Sequence, residues 1–222
     1  MQAKITQSIK PLADELLIGI FLAATGGFLD AYTYFFRGGV FANAQTGNMV
    51  LMAIYASKCD FNKAVYYLIP ITAFFLGVLA TEYLMRHGRL GGRWRQIVLA
   101  LEIIILFCIG FLSQNVPNAY INVAVSFVCS LQVNAFKKIS GLPYATTMCT
   151  GNLRSATEQL SLFIFEKNRQ SGKNCIIYFV VIFFFCAGAV IGTVLTALAS
   201  EKSVWLCCIM LMTVLFAIIK KR

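Results

Sequence analysis

The chain has 222 residues, of which 59% are hydrophobic and 13% charged, and it carries a formal net charge of +10. Soluble domains carry about 25% charged residues, so this composition excludes an ordinary soluble globule and points to an α-helical integral membrane protein. The eight cysteines show no C-x-x-C spacing and there is one histidine, His87, so neither a metal centre nor a resident cofactor is expected. The basic residues lie between apolar runs and at the ends of the chain. They read as topology-setting charges and not as a nucleic-acid patch.

In chain order, residues 1–15 form a polar N-terminal segment. Lys4 and Lys10 precede an apolar run, as in a signal peptide, but Asp14 and Glu15 interrupt the basic region and the run continues to Phe36. Leu16–Phe36 is therefore expected to be an uncleaved first span. The next apolar segments are Thr46–Ala56, Ala64–Met85, Ile97–Ser113, Ala119–Phe136, Gly151–Phe165, Cys175–Ala199 and Val204–Ile219, with a basic end at 220–222. Thr46–Ala56 is about half the length needed to cross ~30 Å of hydrocarbon. Gly151–Phe165 carries Arg154, Glu158 and Gln159 in its first turns.

The chain contains an internal duplication. Thr46-Gly47-Asn48 recurs 104 positions later as Thr150-Gly151-Asn152, and at the same offset Asp30-Ala31 matches Asn134-Ala135. The two repeats read as residues 16–113 and 119–219. If the two Thr-Gly-Asn segments do not cross the bilayer, six spans remain, and 14 lysines and arginines fall on the side of the termini against four on the other. If all eight segments cross, the best split is eight inside against ten outside. The positive-inside rule thus favours six transmembrane helices plus two re-entrant half-helices, with both termini cytoplasmic. Three spans per repeat give the copies opposite orientations, the inverted-repeat plan of many secondary transporters.

A doubled polar motif in hydrocarbon is costly unless it lines a protein-enclosed cavity. Thr46 and Thr150 are expected as N-caps, with Gly47 and Gly151 allowing close approach of a ligand. The first-turn amides of each half-helix could hold an anion, a carboxylate or a carbonyl oxygen. Asn48 and Asn152 would add donors and acceptors, with Asn134 and Arg154 completing the candidate binding set. The alternative is that these residues only cap buried helix ends, and that Arg154 pairs with Glu158 one turn on.

Asp30 lies inside the first span and must be paired, hydrogen-bonded or protonated. It is expected either to couple a proton or cation to transport or to bind the Thr46–Asn48 turn. Arg37 would share its face if the helix continued. Asn122, Ser126, Ser130 and Asn134 recur every fourth residue as a stripe that would line a path or bind a neighbouring helix. Glu82 and Glu102 are expected to pair with the basic loop Arg86–Arg95. Gly19, Ala23 and Gly27, then Ala73, Gly77 and Thr81, then Gly188, Gly192 and Thr196, form small-residue ridges for close helix packing.

Gly26-Gly27-Phe28-Leu29-Asp30-Ala31, Val40-Phe41-Ala42-Asn43-x-x-Thr46-Gly47-Asn48, Gln132-x-Asn134-Ala135 and Thr146-Thr147-x-x-Thr150-Gly151-Asn152 together resemble the YoaK-like family of bacterial inner-membrane proteins, a domain of unknown function. The resemblance runs from about Leu16 to Ile219 and implies a multispanning bacterial membrane protein with no assigned substrate. One departure is Ser130-Leu131 where a glycine is expected before Gln-x-Asn-Ala, which puts tight packing at that point in question. The residues themselves point to a transporter of a small solute, anionic solutes included, with the lipid bilayer as surroundings. A channel and a non-transporting scaffold are the alternatives. An enzyme is not expected, since no nucleophile–base pair or metal constellation is visible.

Overall fold

A computed structural model describes residues 2–87, 93–139, 141–144 and 147–220. The topology-setting charges Arg89, Lys221 and Arg222 and the motif residue Thr146 lie outside the described residues. Each apolar segment forms one α-helix: α1 Gln2–Phe36, α2 Gln45–Ser57, α3 Phe61–His87, α4 Trp94–Ile109, α5 Asn118–Ala135, α6 Cys149–Phe165, α7 Arg169–Ala199 and α8 Trp205–Lys220. A 3₁₀ turn, Ser200–Val204, joins α7 to α8. A short antiparallel hairpin, β1 Lys138–Ile139 with β2 Leu142–Pro143, lies between α5 and α6. The apolar periodicity did not announce it, because two-residue strands are too short to carry a pattern. Its bend contains Gly141 at φ +80°, a conformation that favours glycine.

Among the described residues three stretches are long and apolar enough to cross a membrane: Glu15–Phe36, Phe61–Arg86, and Arg169–Lys220, the last holding α7, the 3₁₀ turn and α8. Many large apolar side chains are exposed, among them Phe75, Phe165, Phe183, Leu198 and Phe216. In water this surface would aggregate; in lipid it is the contact face. α2 and α6, with 13 and 17 residues, are shorter.

The packing has a regular plan. α1 lies along α7 and α3 along α5; α2 packs on α3 and α6 on α7; α4 meets α5 and α8, and α8 meets α1. Glycines line the α1–α7 and α3–α5 crossings. A Cβ at Gly188 would strike the carbonyl of Ala24, and one at Gly27 would strike that of Phe185. At the α3–α5 crossing a Cβ on Gly77 would strike Ser130 Oγ and lie 2.6 Å from the carbonyl oxygen of Phe127. So the glycine missing from α5 is supplied by α3: Ser130 occupies the space that Gly77 leaves. In lipid such backbone approach replaces the hydrophobic drive that water would provide.

Two charged side chains sit otherwise than their sequence positions imply. Arg37 does not join Asp30. It is fully buried, donating from Nε to the Tyr32 hydroxyl (2.9 Å), from Nη2 to the carbonyl of Leu112 (2.8 Å) and from Nη1 to that of Ser113 (3.3 Å). These carbonyls follow the C-terminal end of α4, where orphan acceptors gather, and a planar guanidinium can serve several at once. Among the described residues Glu102 has Gln132, and not the basic loop, as its partner. It is fully buried on α4 and accepts from Gln132 Nε2 at 3.1 Å, because that side of α4 faces α5. Glu82 does meet basic residues, pairing with Lys137 (2.6 Å) and Arg86 (3.6 Å).

Candidate functional site

The chain leaves α1 through an irregular stretch, residues 37–44, before α2 begins. Gly38 (φ +89°) and Gly39 (φ +76°) make the turn-back possible. Asn48, one turn into α2, fastens this stretch: its Nδ2 donates to the Phe41 carbonyl (2.7 Å) and to Gln45 Oε1 (2.8 Å), and its Oδ1 accepts from Phe41 N–H (3.0 Å). Asn48 is thus fully used within the protein. The helix start lies earlier than Thr46. Ala44 is the N-cap of α2 and Met148 that of α6, and neither start receives a side-chain cap. The expectation that Thr46 and Thr150 are N-caps is corrected: each falls inside the first helical turn.

The two starts are chemically unequal. At α2, Gln45 N–H donates to the Asn43 carbonyl (2.8 Å) and Gly47 N–H to that of Ala44 (2.9 Å). Asp30 comes in beside them, its Oδ1 accepting from Asn43 N–H at 2.7 Å. The Asp30 carboxyl therefore binds the chain just ahead of α2 and not the Thr46–Asn48 turn itself. At α6, Asn152 N–H makes the first helical bond, to the Met148 carbonyl (3.1 Å). The amides before it are the usual donors of a helix start.

Both starts border one cavity of about 870 Å³. Its polar edge is Asp30, Asn43, Gln45 and Thr46 from the first half and Thr147, Thr150 and Gly151 from the second. The rest of its wall is apolar and rich in rings, with Tyr34, Phe41, Phe74, Phe75 and Phe185, and with Met49 and Met148. Asp30 is the one charged residue on this wall among the described residues. Three of the residues that border it, Asp30, Asn43 and Thr147, each hold a buried oxygen (Oδ2, Oδ1 and Oγ1) with no hydrogen-bond partner among the described residues. Buried polar groups are nearly always satisfied, so each of these oxygens has capacity left for a water or a ligand group.

Of the residues expected at a binding site, the fold brings Thr46, Thr150, Gly151 and Asp30 to the cavity. Gly151 has open space where a Cβ would stand. Gly47 instead faces the Phe41 ring, whose nearest carbon is 2.8 Å from the place a Cβ would take. Asn48 and Asn152 are buried but do not line the cavity. Asn134 is directed to α3, donating to Glu82 Oε1 (3.1 Å) and to the Val78 carbonyl (3.4 Å). Arg154 is exposed and donates to Glu158 at 2.9 Å, away from the cavity. On the polar stripe of α5, Asn122 Nδ2 donates to the Arg37 carbonyl (2.8 Å), whereas Ser130 Oγ donates back within α5 to the Phe127 carbonyl (2.6 Å). Asn43 and Thr147 entered the sequence reading only as parts of the family motifs, with no binding role, and the aromatic wall was not singled out. Asn43 and Thr147 stand three residues before the two Thr-Gly-Asn motifs, at positions 43 and 147, and that shared offset was the available signal.

The family model described as "Protein of unknown function (DUF1275)" matches residues 18–217. The chain belongs to this family. It is similar to the UPF0700 transmembrane protein YoaK of Bacillus subtilis (strain 168), at 28% identity over 178 residues, covering 77% of this chain and 79% of that protein. No solved structure matches the chain. The family, a relative named as a transmembrane protein and the exposed apolar helices agree: this is a transmembrane α-helical protein.

Proposed function

We propose that the protein is a secondary transporter of the bacterial cytoplasmic membrane, carrying a small solute through the cavity between the starts of α2 and α6. The observation that carries this reading is the cavity itself: residues 104 positions apart, Thr46 and Thr150, border the same space, together with Asp30. Half-helix starts that border one shared site are the recurring design of inverted-repeat transporters. The packing supports such repeats. Exchanging α1 with α5, α2 with α6, α3 with α7 and α4 with α8 turns the α1–α7 contact into α5–α3, α2–α3 into α6–α7, and α4–α5 into α8–α1. The α4–α8 contact maps onto itself. This is the pattern a two-fold axis through the α4–α8 contact would give.

In this reading α2 and α6 are half-helices entering from opposite faces, six helices cross, and both termini are cytoplasmic. Alternating access follows if the two repeats exchange conformations, opening the cavity first to one face and then to the other. Asp30 is the group positioned to couple a proton or cation to that exchange. A channel would need a continuous polar path, whereas this wall is largely apolar.

The orientation is tested with Cys59, exposed in the turn between α2 and α3. In a variant whose other cysteines are replaced, a membrane-impermeant maleimide should label Cys59 from outside intact cells. Labelling only after the cytoplasmic face is opened would overturn the six-span arrangement. For transport, the metabolites of a deletion strain and its parent are compared, and the solutes that differ are offered to proteoliposomes. Uptake lost in Asp30→Asn supports coupling through Asp30; undiminished proton-dependent uptake in that variant refutes it.

A further inference from the structure

The cavity's charge and lining define a ligand class. Helix starts alone favour an anion, but here the first start is already answered by a carboxyl. Asp30 Oδ1 takes the amide just ahead of α2, and the α2 amides of Gln45 and Gly47 are spent on neighbouring carbonyls. A second negative group at that end would face Asp30 at short range, with no basic side chain on the wall among the described residues to offset it. Arg37 is turned away to α4 and Arg154 to Glu158. Asp30 therefore stands on the wall with no basic partner among the described residues, and an unpaired carboxylate in low dielectric is strongly disfavoured.

The remaining features agree with one another. The unpartnered atoms at this end, Asp30 Oδ2 and Asn43 Oδ1, are both acceptors. They call for a donor from the guest. Tyr34, Phe41, Phe74, Phe75 and Phe185 supply ring faces and edges along the wall. Rings attract cations most strongly where water is excluded. The apolar walls match a hydrophobic body attached to the charged head.

Resting on the transport reading for its biological meaning but not for its test, we propose that the cavity binds an apolar, ring-bearing organic amine, with its ammonium group held between Asp30 and Asn43. The ammonium supplies the counter-charge that the fold omits, and its N–H groups satisfy the two orphan acceptors. The hydrocarbon part lies among the aromatic side chains. The space beside Gly151 sets how long that part can be.

The test measures binding of three isosteric probes to the purified full chain in lipid nanodiscs by calorimetry: 2-phenylethylamine, 3-phenylpropionate and 2-phenylethanol. The amine should bind most tightly. Asp30→Asn should weaken it at least about tenfold, because one partner of a desolvated charge pair is lost, and leave the alcohol nearly unchanged. Asn keeps an oxygen that can accept from Asn43 N–H, so the turn before α2 persists; circular dichroism checks this. Gly151→Leu, which grows into open space, should weaken amine and alcohol alike. Tighter binding of the acid than of the amine, equal amine binding in Asp30→Asn, or no binding of the amine overturns the proposal. Uptake of the bound amine into proteoliposomes is read separately. Amine binding without uptake keeps the cation site and removes the transport reading, while uptake of another solute without amine binding removes the cation site alone.

Discussion

Arg37 offers the sharpest test of the energetics. Its side chain is fully buried and makes three hydrogen bonds, to the Tyr32 hydroxyl and to the carbonyls of Leu112 and Ser113. It also lies over the Tyr32 and Phe36 rings, 5.5 and 4.9 Å from their centroids. Arg37→Met keeps most of the volume and removes every donor. Each acceptor left buried without a partner costs about 1–3 kcal/mol. The Tyr32 hydroxyl can reorient and the Ser113 end is partly exposed, so the expected loss is about 2–4 kcal/mol. Arg37→Lys keeps the charge but not the fork, reaches fewer acceptors and should fall between the two. Unfolding in mixed micelles, followed by tryptophan fluorescence, reads this directly. Trp205 donates from Nε1 to the Phe107 carbonyl at 3.1 Å, stacks on the Phe107 ring and meets the Phe111 ring edge-on, close to the α4 end that Arg37 binds. A midpoint for Arg37→Met within about 0.5 kcal/mol of the parent would show that this buried arginine holds nothing together, and a lysine variant equal to the parent would refute the fork argument.

Other substitutions separate structural from ligand-facing roles. Gly188→Val should drive α1 and α7 apart at the Ala24 carbonyl and cost about 1–3 kcal/mol or more, read as loss of monodisperse protein on size exclusion in detergent; undiminished recovery would contradict the close crossing. Asn48→Ala frees both the N–H and the carbonyl of Phe41 and should cost about 2–4 kcal/mol, read as a lowered unfolding midpoint. Arg154→Ala removes an exposed one-turn ion pair and should change stability by less than about 1 kcal/mol while leaving probe affinity unaltered; a strong loss of affinity would place Arg154 at the cavity after all. Glu102→Gln replaces a fully buried carboxyl by an amide of the same shape that can still accept from Gln132, and the variant should be at least as stable as the parent by the same unfolding assay.

Much of the architecture was written into the chain. Mean composition and run length set the membrane class, and all eight apolar segments are helices because helical hydrogen bonding is the way a single segment satisfies its backbone in lipid. The recurring Thr-Gly-Asn pointed to two helix starts that border one cavity, and Gly27, Gly77, Gly188 and Gly192 marked helix faces that touch. Position 30 stood out because an acid inside an apolar run is rare. What the sequence could not decide was direction: which way a polar side chain turns depends on the neighbour that the fold supplies. Arg37 shares a helical face with Asp30 on paper, yet α1 ends at Phe36 and the arginine swings to the free carbonyls after α4. Glu102 reads as a loop-facing acid until α5 is packed against it. Asn48 and Asn134 carry the same amide as Asn43, but they are consumed by local backbone and by Glu82, while Asn43 keeps an oxygen open. Spacing along a chain fixes which residues share a helix face; only packing in three dimensions fixes which polar atoms are satisfied, and the unsatisfied ones are what a ligand can read.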